Sequence, residues 1–276
     1  MDGRLDLRMA TAAAYAAEGG ERGEALAYRE DTVAALAQRT DLRGRRVLEI
    51  GGDARGETAR LLLAAGAREV VVTNVGHGIA NGAAEPGILF RRADARALHE
   101  HFPPGAFDAA IGIAVAEHIP EPARWTASLA RVLAPGALAA VHGGPIWSGP
   151  AGHHCFAQVE GRSYRFSDNS NPIRPWEHLL HDAASLARVL VEERGLPPPD
   201  AEAIVQFVYR GRNINRIPYS ALLRGLGAGG LTVAETLPVI RRRSDAALLA
   251  RLAETPLGPA ERYEISGAVF VLRAGG

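Results

Sequence analysis

Proton-transferring side chains are unevenly supplied in this chain of 276 residues. All 31 of its Lys and Arg residues are Arg, so no lysine exists to form a Schiff base, hold a P-loop phosphate or act as a general base. Kinase, P-loop NTPase and pyridoxal chemistries are thereby excluded. Histidine is left as the side chain that titrates near neutrality. His118, His142, His153 and His154 stand on or beside loops rich in Gly and Pro. A catalytic base is sought first in the pair His153 and His154, then in His118. His142, His153 and His154 with Glu117 offer imidazole and carboxylate to zinc or iron, but their spacing matches no compact ligand motif, and no metal is expected. A different kind of acid closes an apolar run at Arg46-Val47-Leu48-Glu49-Ile50, followed by Gly51-Gly52-Asp53-Ala54-Arg55-Gly56. An acid just before glycines repels a pyrophosphate and suits a ligand that offers hydroxyls or a cation.

The elements that must position these groups alternate. The apolar run, the glycines and the helical pattern from Glu57 to Leu63 read as buried strand, tight turn and helix. Glu69 to Asn74, Ile88 to Arg92, Phe107 to Ile113 and Leu138 to Val141 supply further strands, with helices between them, including Trp125 to Leu133. Such alternation signals a parallel sheet with helices on both faces. Two helices are expected before it, Met9 to Glu18 and Glu24 to Arg39, within residues 1–40. Beyond the fifth strand the alternation stops in a Gly/Pro loop, His142 to Cys155. A long insertion then runs to about Arg224, with a helix near Ala183 to Glu193. Gly230 to Glu235, a helix from Ser244 to Ala253 and Glu264 to Leu272 complete the chain.

Three stretches carry a family resemblance. Val47-Leu48-Glu49-Ile50-Gly51-Gly52 resembles motif I of the class I S-adenosylmethionine-dependent methyltransferases. Phe107 to Ile119, ending in Glu117-His118-Ile119, is similar to the fourth strand of that family and the loop after it. Leu133-Ala134-Pro135-Gly136 before an apolar strand is a third shared feature. The resemblance implies a Rossmann-like, doubly wound, seven-stranded sheet with a terminal antiparallel hairpin and a helical insertion between strands five and six. It implies one methyltransferase domain over 1–276, with a cofactor-binding core at 44–150, an acceptor-covering insertion at 151–228 and the last two strands at 229–276. S-adenosyl-L-methionine is the implied cofactor. Glu49 would support its methionine end, Gly51 and Gly52 would pass beneath it, and Asn74 would take the ribose in place of the usual acid. Asp94 would meet the adenine, with Ala95 and Ala114 beside the cofactor. Asp53 occupies the position of the second motif glycine, and Gly56 falls one place late for the third. Asn74 can equally well simply end its strand in a turn, and Asp94 can cap the helix that starts at Ala95 while also meeting the cofactor.

The activity implied is methyl transfer to a small-molecule acceptor, with oxygen favoured, in biosynthesis of secondary-metabolite or glycan type. Trp147 and Trp176 could wall the acceptor, although core packing is their commoner use. Asn215, Arg216 and Tyr219 could bind it. Aminopropyl transfer would want further acids where Ala114-Val115-Ala116 stand. A dinucleotide fingerprint would need glycine at Asp53. A degenerate cofactor-binding protein without transfer remains open, supported by Asp53 and Asn74. A net charge of zero gives no footprint for nucleic acid or an anionic membrane, and no apolar run is long enough to span a bilayer. The single cysteine, Cys155, excludes an internal disulfide, and the expected compartment is the cytoplasm. A homodimer is the one protein partner left open.

Overall fold

The computed structural model describes residues 21–76, 79 and 81–276. The expected helix from Met9 to Glu18 lies outside them. The second expected helix is α1, Glu21–Ala37. The strand–turn–helix is β1, Arg46–Ile50, and α2, Glu57–Ala64. The sheet continues through β2, Glu69–Asn74, β3, Gly82–Glu85, β4, Ile88–Arg92, β5, Phe107–Gly112, and β6, Leu133–Gly143. Helix α3, Pro122–Val132, joins β5 to β6. The last strands are β9, Leu231–Arg241, and β10, Ile265–Ala274. Their order across the sheet is β3-β4-β2-β1-β5-β6-β10-β9.

The doubly wound sheet is as expected, with eight strands where seven were read. The additional strand, β3, pairs antiparallel with β4 at the edge. Its four residues hold no β-branched or aromatic side chain, so periodicity could not mark it. From β4 to β6 the neighbours run parallel, and β10 then pairs antiparallel with β6. Strand β1 has β2 on one side and β5 on the other, with Glu49 opposite Val72 and Ile111. The chain order therefore reverses between β1 and β5. Open parallel sheets place ligands at the strand carboxyl ends beside such a reversal.

The chain divides into two compact units. The described residues up to Gly143, with Leu223–Val239 and Ala268–Gly276, form the first. Its core contains Leu36, Val47, Leu62, Val70, Ile111 and Val269, all buried. The second unit is Gly144–Leu222 with Ile240–Gly267. The expected helical insertion also holds a hairpin, β7, Phe156–Val159, and β8, Arg162–Arg165. Both turn residues have positive φ, 47° at Glu160 and 84° at Gly161, as a two-residue hairpin loop demands. The helices of this segment are α4, Glu177–Leu180, α5, Ala183–Arg188, which continues in a wider turn over Val189–Glu193, and α6, Pro198–Arg210. Helix α7, Tyr219–Ala228, follows. The 229–276 segment is split because α8, Ala246–Ala253, belongs to the second unit. Its Leu252 packs with Trp176 and Tyr263 in an apolar cluster separate from the sheet core.

Candidate active site

Every group of the cofactor reading lies in the sheet unit. Glu49, the last residue but one of β1, has 2 % of its surface exposed. Its Oε2 has no hydrogen-bond partner in the structure. Burial pushes its pKa up to about 7, opposed in part by the Thr58 hydroxyl, which donates to the carboxylate from α2. A buried acid left half-satisfied at a sheet edge is a feature that a cationic or hydroxyl-bearing ligand would repair.

The turn after Glu49 is closely packed. The amides of Gly51 and Gly52 donate to the Thr73 carbonyl at 2.7 and 3.1 Å, tying the turn to β2. Gly51 has φ 73°, a conformation that strains other residues. A Cβ on Gly52 would stand 2.4 Å from Val72 and 2.6 Å from the Glu49 carboxyl. Glycine is therefore required for Glu49 to keep its place.

Asp53 is bonded on both oxygens within the turn and to α1. Its Oδ2 accepts from Arg29 of α1 at 2.8 Å, and its Oδ1 accepts from the Arg55 amide at 2.8 Å. Asn74 braces the same turn: its Nδ2 donates to the Gly52 carbonyl at 2.9 Å and its Oδ1 accepts from the Gly76 amide at 2.9 Å. Asp94 accepts from the Arg96 amide at 2.8 Å and from the Arg96 guanidinium, capping the short helix Ala95–Glu100. Its pKa lies below the usual range, first through the Arg96 side chain. These local partners account for Asp53, Asn74 and Asp94 without a ligand. Glu49 alone among the four acid or amide positions keeps a buried oxygen unsatisfied.

The loop after β5 is set by His142, one of the four histidines weighed for chemistry, which lies inside β6 and not on a loop. His142, inside β6 and 1 % exposed, accepts at Nδ1 from the Ala114 amide at 3.2 Å. Its carbonyl accepts from the Val115 amide at 3.2 Å. Ala114 is exposed and held at φ 50°. Burial lowers the His142 pKa to about 4, so the ring is neutral, and the Ala114 contact places its proton on Nε2. The sequence signal was there: a histidine ending the apolar run Leu138-Ala139-Ala140-Val141 is costly unless bonded. Further along the loop, Glu117 is buried and His118 is 44 % exposed by side chain, with His118 Nε2 3.8 Å from Glu117 Oε1.

His153, first among the candidate bases, lies in the second unit. That ring has no exposed surface, its Nδ1 accepts from the Cys155 amide at 3.1 Å, and it packs at 5.3 Å against the ring of His178. Burial drives its pKa well below 6.5, assisted by His178 and His154. His154 is 9 % exposed and lies 4.7 Å from the Phe166 ring. The groups expected to hold an acceptor are bonded within their own unit. Trp176 is 2 % exposed and its Nε1 donates to the Tyr263 carbonyl at 2.8 Å. Arg216 donates to the carbonyls of Val208, Phe207 and Gly211, the C-terminal end of α6 and the residue after it. Asn215 accepts from the Ile217 amide at 3.0 Å, and Tyr219, 5 % exposed, has its amide bonded to Ser148 Oγ at 3.0 Å. Trp147 remains half-buried, with its ring 4.7 Å from that of His178.

Comparison with known proteins shows the family and the fold. A family profile described as "Methyltransferase domain" matches residues 21–196. No curated protein matches. Among solved structures, an S-adenosylmethionine-dependent methyltransferase from Mesorhizobium loti is 19 % identical with a TM-score of 0.52, over 88 % of this chain and 96 % of that one. The methyltransferase in a Haloferax volcanii complex with the Trm112 activator is 14 % identical with a TM-score of 0.53, over 95 % and 97 %. A Listeria monocytogenes protein assigned as an S-adenosylmethionine-dependent methyltransferase is 10 % identical with a TM-score of 0.50, over 91 % and 100 %. At these identities the likeness is one of fold. The profile covers 21–196, more than half of the chain, and with the strand order and the acid near the end of β1 it leads to one assignment: the chain belongs to the methyltransferase domain family, and S-adenosylmethionine is its cofactor.

Proposed function

We propose that the enzyme methylates an oxygen of a small-molecule acceptor, with Glu49 holding the cationic methionine end of the cofactor and His118 taking the acceptor proton. The observation that supports it most is the contrast among the acids around the turn, where Glu49 alone is buried and only partly bonded. S-adenosylmethionine supplies an electrophilic methyl group on a positively charged sulfur. The protein then has mainly to position the reactants and to accept a proton. His118 suits the second task because its side chain is exposed at the carboxyl end of β5, on the loop that His142 fixes. His154 is the second candidate, being less exposed. Hydroxylated small molecules of secondary metabolism and sugar derivatives are the acceptors to assay first.

Substitution separates the roles. Once an acceptor is found, His118→Ala lowers turnover by roughly a hundredfold and leaves S-adenosylhomocysteine affinity unchanged. Full turnover in His118→Ala with loss in His154→Ala would transfer the role to His154. Full turnover in both would remove the base from the account and leave positioning alone.

A further inference from the structure

Arg29 projects from α1 into the turn between β1 and α2. One terminal nitrogen lies 2.8 Å from Asp53 Oδ2 and the other 2.6 Å from Glu57 Oε2. Asp53 stands within the turn and Glu57 is the first residue of α2, so a single guanidinium spans the turn from its middle to its end. Its side chain is 19 % exposed, against 70 % for Arg55, the other cation near Glu57. The interior partner is therefore Arg29, and Arg55 faces solvent. The fork of Arg29 suits this bridge, since each acid meets its own terminal nitrogen in a fixed planar geometry.

We propose that Arg29 is a positioning residue of the cofactor site, a clamp by which α1 holds the turn Gly51 to Glu57 in its ligand-receiving form, with Asp53 as its counter-ion in place of a motif glycine. The proposal rests on the reading of Glu49 as the cofactor acid. It explains the departure from the family motif in physical terms. A glycine would leave the turn free to flex, whereas an aspartate fixes it, provided that a cation neutralises the added charge. Three carboxylates, Glu49, Asp53 and Glu57, otherwise crowd this turn. The groups that act on Glu49 are Thr58 from α2, Asp53 from the turn and Arg29 from α1. Asp53 raises its proton affinity, while Thr58 and Arg29 lower it. Arg29 thus favours the ionised form of Glu49, which a cationic ligand needs. The same residue shapes the turn and charges it.

The test has two arms. In the ligand-free protein the Glu49 carboxyl is titrated by carbon NMR. Arg29→Ala should move its midpoint upward by about half a unit or more, and Arg29→Lys by less. Arg29→Gln, which keeps most of the length without the charge, replaces the alanine variant should that one not fold. A midpoint that does not move in Arg29→Ala or Arg29→Gln overturns the proposal, because a purely structural contact would leave the titration unchanged. In the second arm S-adenosylhomocysteine affinity is measured at pH 7.5. Arg29→Ala should weaken it by about tenfold, and in an Asp53→Gly background the further loss should be smaller. Equal losses in both backgrounds would break the link between Arg29 and Asp53. If the unaltered protein binds no S-adenosylhomocysteine, the cofactor reading of Glu49 fails, while the titration still decides whether Arg29 governs that acid.

Discussion

Glu49 carries a penalty that a bound cation would relieve. Its proton affinity rises on folding, from an ordinary carboxyl value of 4.5 to about 7. The folded form therefore binds more protons than the unfolded chain in that interval, and this residue erodes stability as pH climbs through it. Above pH 7 the loss amounts to roughly 3 kcal/mol. Glu49→Gln is accordingly expected to raise the melting temperature at pH 8 and to change little at pH 4. The same substitution should remove most S-adenosylhomocysteine binding. A thermal melt at the two pH values checks the sign: a variant less stable at pH 8 would mean that the carboxylate is already compensated. Glu49 and Gly51 were legible in the sequence because acid-then-glycine after a strand is a local pattern. Arg29 was not legible, because its partners lie 24 and 28 positions away and nothing in the helix around it marks it. The hint was indirect: an aspartate at a glycine position needs a counter-charge. Asn74 and Asp94 show the opposite case. Their side chains are bonded within the turn and the cap, contacts that the sequence had allowed beside a cofactor role.

At the scale of elements, the cofactor edge is built from two loops and the strands that brace them. Thr73 of β2 receives the glycine amides after β1. His142 of β6 receives the amides after β5. His142→Ala should free Ala114 from its strained backbone and cost about 2–4 kcal/mol, from a lost hydrogen bond and a cavity. Its S-adenosylhomocysteine affinity should fall with unchanged secondary structure by circular dichroism. Unchanged affinity would show that the loop holds its shape without the histidine. Gly52→Ala should be equally informative, because its methyl group would meet Val72 and the Glu49 carboxyl. About 1–3 kcal/mol of stability and most cofactor binding should be lost. The strand order of the parallel elements was readable from alternation and length. Strand β3 and the hairpin of β7 and β8 were not, since four-residue strands carry too few side chains for a period to show.

The molecule as a whole contains buried histidines whose neutrality has a pH consequence. His142 and His178 both have their pKa lowered to about 4 by burial. Unfolded, each binds a proton below about 6.5, so the fold loses stability as pH falls from 6.5 toward 4. Glu49 works in the opposite direction over part of that range, but the histidines outnumber it. A stability profile should therefore fall on the acid side of pH 6.5, and a flat profile down to pH 4 would contradict the burial of these rings. The division into two units was not legible either. Within the second unit α8 packs its Leu252 with Tyr263 and with Trp176, which is far from both in the chain. The sequence showed that an insertion exists; tertiary contacts decide which later segments join it. For the same reason Trp176 and Arg216, chosen by type for an acceptor, turn out to be bonded within their own unit. Among the described residues no helix is long and apolar enough to cross a membrane.

Calorimetric titration of the purified protein with S-adenosylhomocysteine at pH 6 and pH 8, beside Glu49→Gln and with NAD as control, addresses the central claim most directly. The account predicts binding by the unaltered protein that tightens toward pH 8 as Glu49 ionises. It predicts little or none by Glu49→Gln and none of NAD. Binding that is equal at both pH values and survives in Glu49→Gln would contradict the claim that the buried acid near the end of β1 holds the cofactor.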